Sequence, residues 1–165
     1  MESGLSLGSN LGNRLENLRQ AEIKISRLHG VGIIASSPVY ETAPVDVSEK
    51  FGSQSFLNSV LIVKVDIPLT IFADALWDIE CDMGRKKERE RNAPRIIDID
   101  IIYADRICLN ESDLAVPHPR WAARRFVVQP LADVRPDLVL PGESQTVSRI
   151  LLSLPTEPKV ILYYE

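Results

Sequence analysis

Two stretches of helical period are interleaved with four of strand period over roughly the first hundred residues, and their order is the tightest constraint on how this 165-residue chain can fold. Gly4 to Gly8 reads as a short strand leading into a turn, Ser9-Asn10-Leu11-Gly12-Asn13, rich in residues that bond locally or tolerate positive φ. Leu15, Leu18, Ile25 and Leu28 repeat with helical spacing. They predict an amphipathic helix over residues 14 to 29, opened by a capping-box pattern of Asn13 and Glu16 and ended before Gly30. Val31 to Glu41 is β-rich, and Pro38 assigns its far half to a sheet edge. Residues 42 to 55 read as a long loop, and Phe56 to Val65 is the strongest strand of the chain. Pro68 opens a second helix whose stripe Phe72, Leu76, Ile79 and Met83 runs to a stop at Gly84. A strand around Asp98 and Asp100 completes the order β-α-β-β-α-β.

That order predicts an α+β, ferredoxin-like core, an antiparallel sheet with helices on one face. C-terminal additions follow: a short strand over Arg106 to Leu109, a rigid loop at Val116-Pro117-His118-Pro119, partial helix over 120 to 133, a short helix over 147 to 153 and a last strand over 159 to 164. A chain of this length is most simply one domain, residues 1–165, large enough to bury roughly 70% of its unfolded surface. The net charge of −4 argues against general affinity for nucleic acid or for anionic membrane. No apolar segment approaches 18 residues, so the expectation is a soluble, cytoplasmic protein. Cys81 and Cys108 form no CxxC and are expected to be small buried hydrophobes in a reducing compartment. An apparent strand that begins almost at once after Met1 leaves open a chain cut from a longer polypeptide.

Chemistry gathers at residues 94 to 103, Pro-Arg-Ile-Ile-Asp-Ile-Asp-Ile-Ile-Tyr. With a side-chain period of two, Asp98 and Asp100 share one face while Ile97, Ile99 and Ile101 share the other. Their Cα atoms would lie about 6.6 Å apart. Carboxylates converging from there suit two cations about 3.5 to 4 Å apart, a separation used in phosphoryl transfer. The alternation alone also fits a half-solvated edge whose acids pair with a neighbouring loop. Residues 85 to 95 supply that neighbour: six cations and two anions make it +4, leaving −8 elsewhere. A solvated charge run is one reading of this loop; a lid that closes over polyphosphate is the other. Beside the acid pair, phosphate handling is the better reading.

Other positions carry two readings each from the residues alone. Glu80 falls sideways on its helix, a plain surface glutamate or a ligand, with position favouring the first. His118, stiffened by two prolines, is a structural loop histidine or a donor to phosphate. Asn58 interrupts an apolar strand and either satisfies backbone or reads a heterocycle edge. Phe126 is core or a stacking ring. No phosphate-loop spacing or dinucleotide fingerprint is present.

Taken together, seven ordered motifs resemble the 6-hydroxymethyl-7,8-dihydropterin pyrophosphokinase family of folate biosynthesis. They are Leu-Gly-Ser-Asn-Leu-Gly-Asn (7–13), Tyr-Glu-Thr-Ala-Pro (40–44), Phe-Leu-Asn (56–58), Ile-Glu-x-x-x-Gly-Arg (79–85), Ala-Pro-Arg-Ile-Ile-Asp-Ile-Asp-Ile (93–101), Val-Pro-His-Pro-Arg (116–120) and Arg-x-Phe-Val-x-x-Pro-Leu (124–131). The resemblance implies transfer of pyrophosphate from ATP to the pterin hydroxymethyl group, with release of AMP. It implies two Mg2+ ions on Asp98 and Asp100, and phosphate contacts from Arg85 and Arg95, with Lys87 and Arg91 as further loop candidates. Glu80, Ile101, His118 and Arg124 fall on the ATP side. Thr42, Pro44, Val45, Phe56, Asn58 and Phe126 fall in the pterin pocket, Phe126 stacking and Asn58 reading the ring edge. Attachment to another folate-pathway enzyme is also consistent with it. Three positions depart from the family pattern. Asn92 stands where relatives can carry a loop tryptophan, Pro119 where some have tyrosine, and Trp77 where a polar residue is usual. Two rivals remain at this stage, a noncatalytic RNA-binding domain, which would need aromatic sheet residues that are missing, and an idle partner domain of another folate enzyme.

Overall fold

The computed structural model describes residues 1–43, 54–85 and 94–164. The expectations placed on Pro44, Val45, Lys87, Arg91 and Asn92, and on most of the two loops that hold them, lie outside the described residues. In chain order the elements are β1 (Glu2–Ser9), α1 (Arg14–Ser26), β2 (Val31–Ser36), β3 (Tyr40–Thr42), β4 (Phe56–Val65), α2 (Leu69–Asp82), β5 (Asp98–Ala104), β6 (Leu109–Asn110), β7 (Ala115–Val116), a 3-10 turn (Trp121–Ala123), α3 (Arg125–Val134), α4 (Val147–Ser153) and β8 (Val160–Leu162). The main sheet runs β5-β1-β4-β3-β8, with β2 also paired to β4, and every pairing is antiparallel. The expected α+β, ferredoxin-like core is therefore present, with β4 at its centre and β5 at one end.

β4 reads as an almost continuous apolar run because both of its faces are covered. Leu57, Leu61, Val63 and Val65 join a core with Leu18, Ala21 and Ile25 of α1 and Phe72, Leu76 and Ile79 of α2. Val60 and Ile62 join a second core with Val127, Val128 and Leu131 of α3 and Val147 and Ile150 of α4. Helices thus cover both faces of the sheet, a departure from the one-face arrangement; the C-terminal additions supply the second layer.

Three other expectations are corrected. Pro38 does break the β-rich stretch into β2 and β3, but β3 is no edge: it lies between β4 and β8, Thr42 opposite both Phe56 and Val160. Residues 106 to 108 form no strand, because Asp105 takes a positive φ of 44° and turns the chain before β6 begins at Leu109. Neither cysteine is buried: Cys81 is half-buried and Cys108 exposed. At the start of α1, Asn13 Oδ1 accepts from the Glu16 N–H as expected, but the Glu16 carboxylate accepts from Gln20 Nε2 at 2.6 Å. Only half of the capping box is made. α1 also ends at Ser26, short of residue 29.

Polar ties join the second layer to the sheet: the Tyr40 hydroxyl of β3 donates to Asp133 of α3 at 2.6 Å, and a larger one centres on Glu2. Arg135, just past α3, donates Nε and Nη2 to the two carboxylate oxygens of Glu2 at 3.1 and 2.8 Å, and the Tyr103 hydroxyl donates to the same carboxylate at 2.7 Å. The Arg135 fork holds the Glu2 carboxyl below its ordinary 4.5, ahead of the opposing effect of burial. A carboxyl so depressed contributes stability above its unfolded pKa and loses that contribution as pH falls through the folded value. Glu2→Gln should lower the unfolding free energy at pH 7 by about 1 kcal/mol, the pair being roughly a third exposed. Urea titrations at falling pH should show the difference from wild type closing below 4.5.

Candidate active site

Ile97, Ile99 and Ile101 pack into the core beneath α1 and α2, which turns Asp98 and Asp100 to the opposite face of β5. Register then sets their neighbours. Gly8 of β1 stands opposite Asp98 on one side and opposite Asn58 of β4 on the other. Asn58, Gly8 and Asp98 form a row across three strands, about 10 Å from end to end. Without a side chain, Gly8 leaves the middle of that row open. A β-carbon there would lie 3.4 Å from Asn58 Oδ1 and 4.0 Å from a ring carbon of Phe56.

Guanidinium groups ring the carboxylates. Arg95 Nη1 lies 2.6 Å from Asp98 Oδ2, and Arg85 Nη1 lies 3.2 Å from Asp98 Oδ1. The Arg95 backbone is fixed from the far side of the chain: its N–H donates to Asn10 Oδ1 at 2.7 Å, and its carbonyl accepts from the Asn10 N–H. Asp100 is held more loosely. Its Oδ2 lies 3.8 Å from Arg124 Nη1 and 3.9 Å from His118 Nε2, and its side chain remains 42% exposed.

Glu80 overturns its positional reading as a surface residue, being only 3% exposed. It reaches past the apolar stripe of α2 to the edge of β5. There Oε1 accepts from the Ile99 N–H at 2.7 Å and Oε2 from Arg85 Nη1 at 2.6 Å. Both carboxylate oxygens are taken up by the protein, so Glu80 ties β5 and Arg85 together. Arg85 also stacks on Trp77, its guanidinium carbon 4.5 Å from the ring centroid.

His118 is fixed at its backbone by an N–H bond to the Ile102 carbonyl, and its Nδ1 accepts from the Arg120 N–H at 3.1 Å. Nε2 is then the nitrogen that carries the proton of the neutral ring and points it toward Asp100. Burial, followed by the charges of Arg124 and Arg120, lowers its pKa and keeps it neutral near pH 7. Partial burial first, the side chain being still 42% exposed, and the charge of Asp98 second push the Asp100 carboxyl up to about 6. Burial likewise pushes the Glu80 carboxyl up, opposed by the Ile99 N–H and Arg85.

Two cavities flank this cluster. A cleft of about 630 Å³ opens around the outer edge of β5, walled by Trp77, Glu80 and Arg85 from the α2 side, Asp100 and Ile101 from β5, and His118. A smaller cavity of about 110 Å³ lies at the inner end, where Thr42, Arg124 and Phe126 meet Pro155, Glu157 and Val160. Asn58 Nδ2 donates to Thr42 Oγ1 at 2.9 Å, and Phe56 is two residues from Asn58 on the same face of β4. Arg124 bridges the two regions, with Phe126 at 5.6 Å from its guanidinium and Asp100 at 3.8 Å.

The structure therefore brings Arg85, Arg95, Asp98, Asp100, Glu80, Ile101, His118 and Arg124 into one cluster and Thr42, Phe56, Asn58 and Phe126 beside it. Sequence reading missed two contributors. Asn10, read only as part of a turn, is the latch on Arg95; its signal was an amide in a turn that proves 4% exposed. Gly8 was read only as the end of a strand, and it leaves an opening between strands.

The fold is α+β, and the cluster it builds is an acidic strand under a ring of arginines. The comparisons identify the family. Residues 4–136 match the family model described as 7,8-dihydro-6-hydroxymethylpterin-pyrophosphokinase (HPPK), and the chain belongs to that family. The Helicobacter pylori protein named 2-amino-4-hydroxy-6-hydroxymethyldihydropteridine pyrophosphokinase is 37% identical over 129 residues, 78% of this chain and 77% of that one. A Methylorubrum extorquens protein of the same name is 32% identical over 140 residues, covering 85% and 86%. The Dictyostelium discoideum folic acid synthesis protein FOL1 is 36% identical over 151 residues, and there the chain spans only 22% of the relative's length. Among solved structures, an HPPK-DHPS chain in complex with substrates superposes with a TM-score of 0.68 at 15% identity, over 92% of this chain and 45% of that one, a likeness of fold. The activity that goes with the family is transfer of pyrophosphate from ATP to the hydroxymethyl group of 6-hydroxymethyl-7,8-dihydropterin, a step of folate biosynthesis. Among the described residues, no helix is long and apolar enough to cross a membrane.

The raised pKa of Asp100 has a consequence for the metal-free protein. A carboxyl whose folded pKa lies above its unfolded 3.8 opposes folding increasingly as pH rises above 3.8, and in full once pH exceeds the folded value, about 6. Asp100→Asn should therefore stabilise the metal-free protein at pH 7, by about 1 kcal/mol or less because solvent screens so exposed a side chain. Thermal melts in chelator should show that gain fade as pH falls toward 3.8.

Proposed function

We propose that residues 1–165 act as one pyrophosphokinase domain in which Asp98 and Asp100 hold two Mg2+ ions between an ATP cleft and a pterin pocket. The observation that carries this reading is the placement of the carboxylate pair, with the larger cleft on its outer side and the row Asp98, Gly8, Asn58 leading inward from it. The donor set fits magnesium. Carboxylates are hard oxygen ligands, and no group of three or more His, Cys, Asp or Glu residues gathers among the described residues. The protein would then supply two carboxylates and leave the other coordination positions to phosphate oxygens and water, as magnesium prefers. Bound there, the ions would neutralise the charge of the phosphate oxygens.

The chain's own groups do the rest by positioning and electrostatics. Ile101, His118 and the α2 wall receive the nucleotide, His118 offering its Nε2 proton. Arg85, Arg95 and Arg124 present guanidinium forks to the phosphates, and Lys87 and Arg91 add charge from the loop. Phe126 stacks on the pterin ring, Asn58 reads its edge with Thr42 as partner, and Phe56, Pro44 and Val45 complete the pocket. The hydroxymethyl oxygen forms a bond to the β-phosphorus, the bond from that phosphorus to the bridging oxygen breaks, and AMP departs with that oxygen. The hydroxyl proton passes to solvent. A cytoplasmic site of action and attachment to a second folate-pathway enzyme belong to the same reading. The second is supported by relatives several times longer than this chain.

Direct assay of AMP formed from ATP and 6-hydroxymethyl-7,8-dihydropterin tests the function. Asp98→Ala and Asp100→Ala should each stay folded and lose about 10²- to 10³-fold in kcat, as when other electrostatic stabilisers are removed. Near-normal AMP production by both variants would refute the metal assignment. Gly8→Ala should melt close to wild type, since a β-carbon meets only ordinary contacts at 3.4 Å and beyond. Steady-state kinetics should nevertheless show its KM for the pterin raised several-fold while KM for ATP holds.

A further inference from the structure

We propose that Trp77 is a positioning residue of the transfer: its indole face is the shelf that holds the Arg85 guanidinium in the plane from which it meets the nucleotide phosphates. The proposal rests on the reading of the 630 Å³ cleft as the ATP site. Residues 73, 77 and 80 of α2 follow one another by a helical turn each and all line that cleft, while Phe72, Leu76 and Ile79 hold the helix to the core. Trp77 is 39% exposed, so one part of its ring meets solvent in the cleft. Another part is covered by Arg85, 4.5 Å from the centroid.

The hydrogen bonds of Arg85 explain why a shelf matters. Glu80 and Asp98 are both contacted by the same nitrogen, Nη1, at 2.6 and 3.2 Å. A guanidinium anchored at one corner can still swing about that corner. The flat face of a tryptophan removes this freedom through cation-π attraction and contact. Nε and Nη2 are the nitrogens that the shelf would orient toward a phosphate. A polar side chain at position 77 would have to engage the nucleotide itself; the tryptophan acts through Arg85.

Kinetics in two backgrounds tests this. AMP formation at saturating ATP and Mg2+ is measured for wild type, W77F, W77L and W77Q, each also combined with R85K, with thermal melts alongside. W77F keeps a π face and should stay within about two-fold of wild type in kcat. W77L keeps apolar contact without a π face, and it and W77Q should each lose roughly two- to thirty-fold in kcat, with little change in KM for the pterin. In the R85K background, where the planar fork is gone, both losses should shrink toward nothing. Wild-type kcat in W77L and W77Q, or equal losses in the R85K background, would overturn the proposal. Absence of AMP formation by the wild-type protein would instead refute the pyrophosphokinase reading, and the proposal with it.

Discussion

The apolar anchoring of β5 is the constraint on which the rest depends. Ile97, Ile99 and Ile101 are committed to the core under α1 and α2, and the two-residue period of a strand then leaves Asp98 and Asp100 no choice of face. A shift of one residue in register would bury both acids among isoleucines. Against that slip stand the bond from the Ile99 N–H to Glu80 and the two-way latch between Asn10 and Arg95, which hold the strand and its approach from opposite sides. Core packing thus sets the direction of the carboxylates, and hydrogen bonds set their height along the sheet.

From that anchored strand the site grows to both sides. Outward lies the larger cleft, and inward the row through Gly8 reaches Asn58 and the Phe126 cavity. Three guanidiniums, from Arg85, Arg95 and Arg124, stand against the three carboxylates of Glu80, Asp98 and Asp100. With His118 held neutral, the cluster is close to balanced. Charge is therefore gathered without a large net field, and the loosest member, Asp100, lines the cleft together with Glu80 and Arg85.

How much of this could be read from the sequence follows from how far apart the interacting residues lie. The shared face of Asp98 and Asp100, the run of β4 from Phe56 to Val65 and the stripe of α2 depend on local period, and all are found where expected. The motifs also named the residues that cluster, because each motif keeps its side chains on one short element. What failed were features made by distant partners. Glu80 looked like a surface residue because its partner, the Ile99 N–H, arrives 19 residues later, and Asn10 looked like a turn because Arg95 lies 85 residues on. β3 was assigned to an edge because β8, which covers it, comes from the far end of the chain. Pro38 broke the strand as its missing N–H requires, but a break in a strand does not say what lies beside it.

In the proposed reading the two carboxylates of β5 act together as the metal-holding centre between nucleotide and pterin. Counting bound ions tests it most directly. Mn2+, used as a spectroscopic stand-in for Mg2+, is titrated into the protein with a non-hydrolysable ATP analogue and followed by electron paramagnetic resonance. Two ions should bind per protein with the analogue present, and tight binding should be lost when either Asp98 or Asp100 becomes Asn. An ion count that is the same in wild type and in both variants would contradict it.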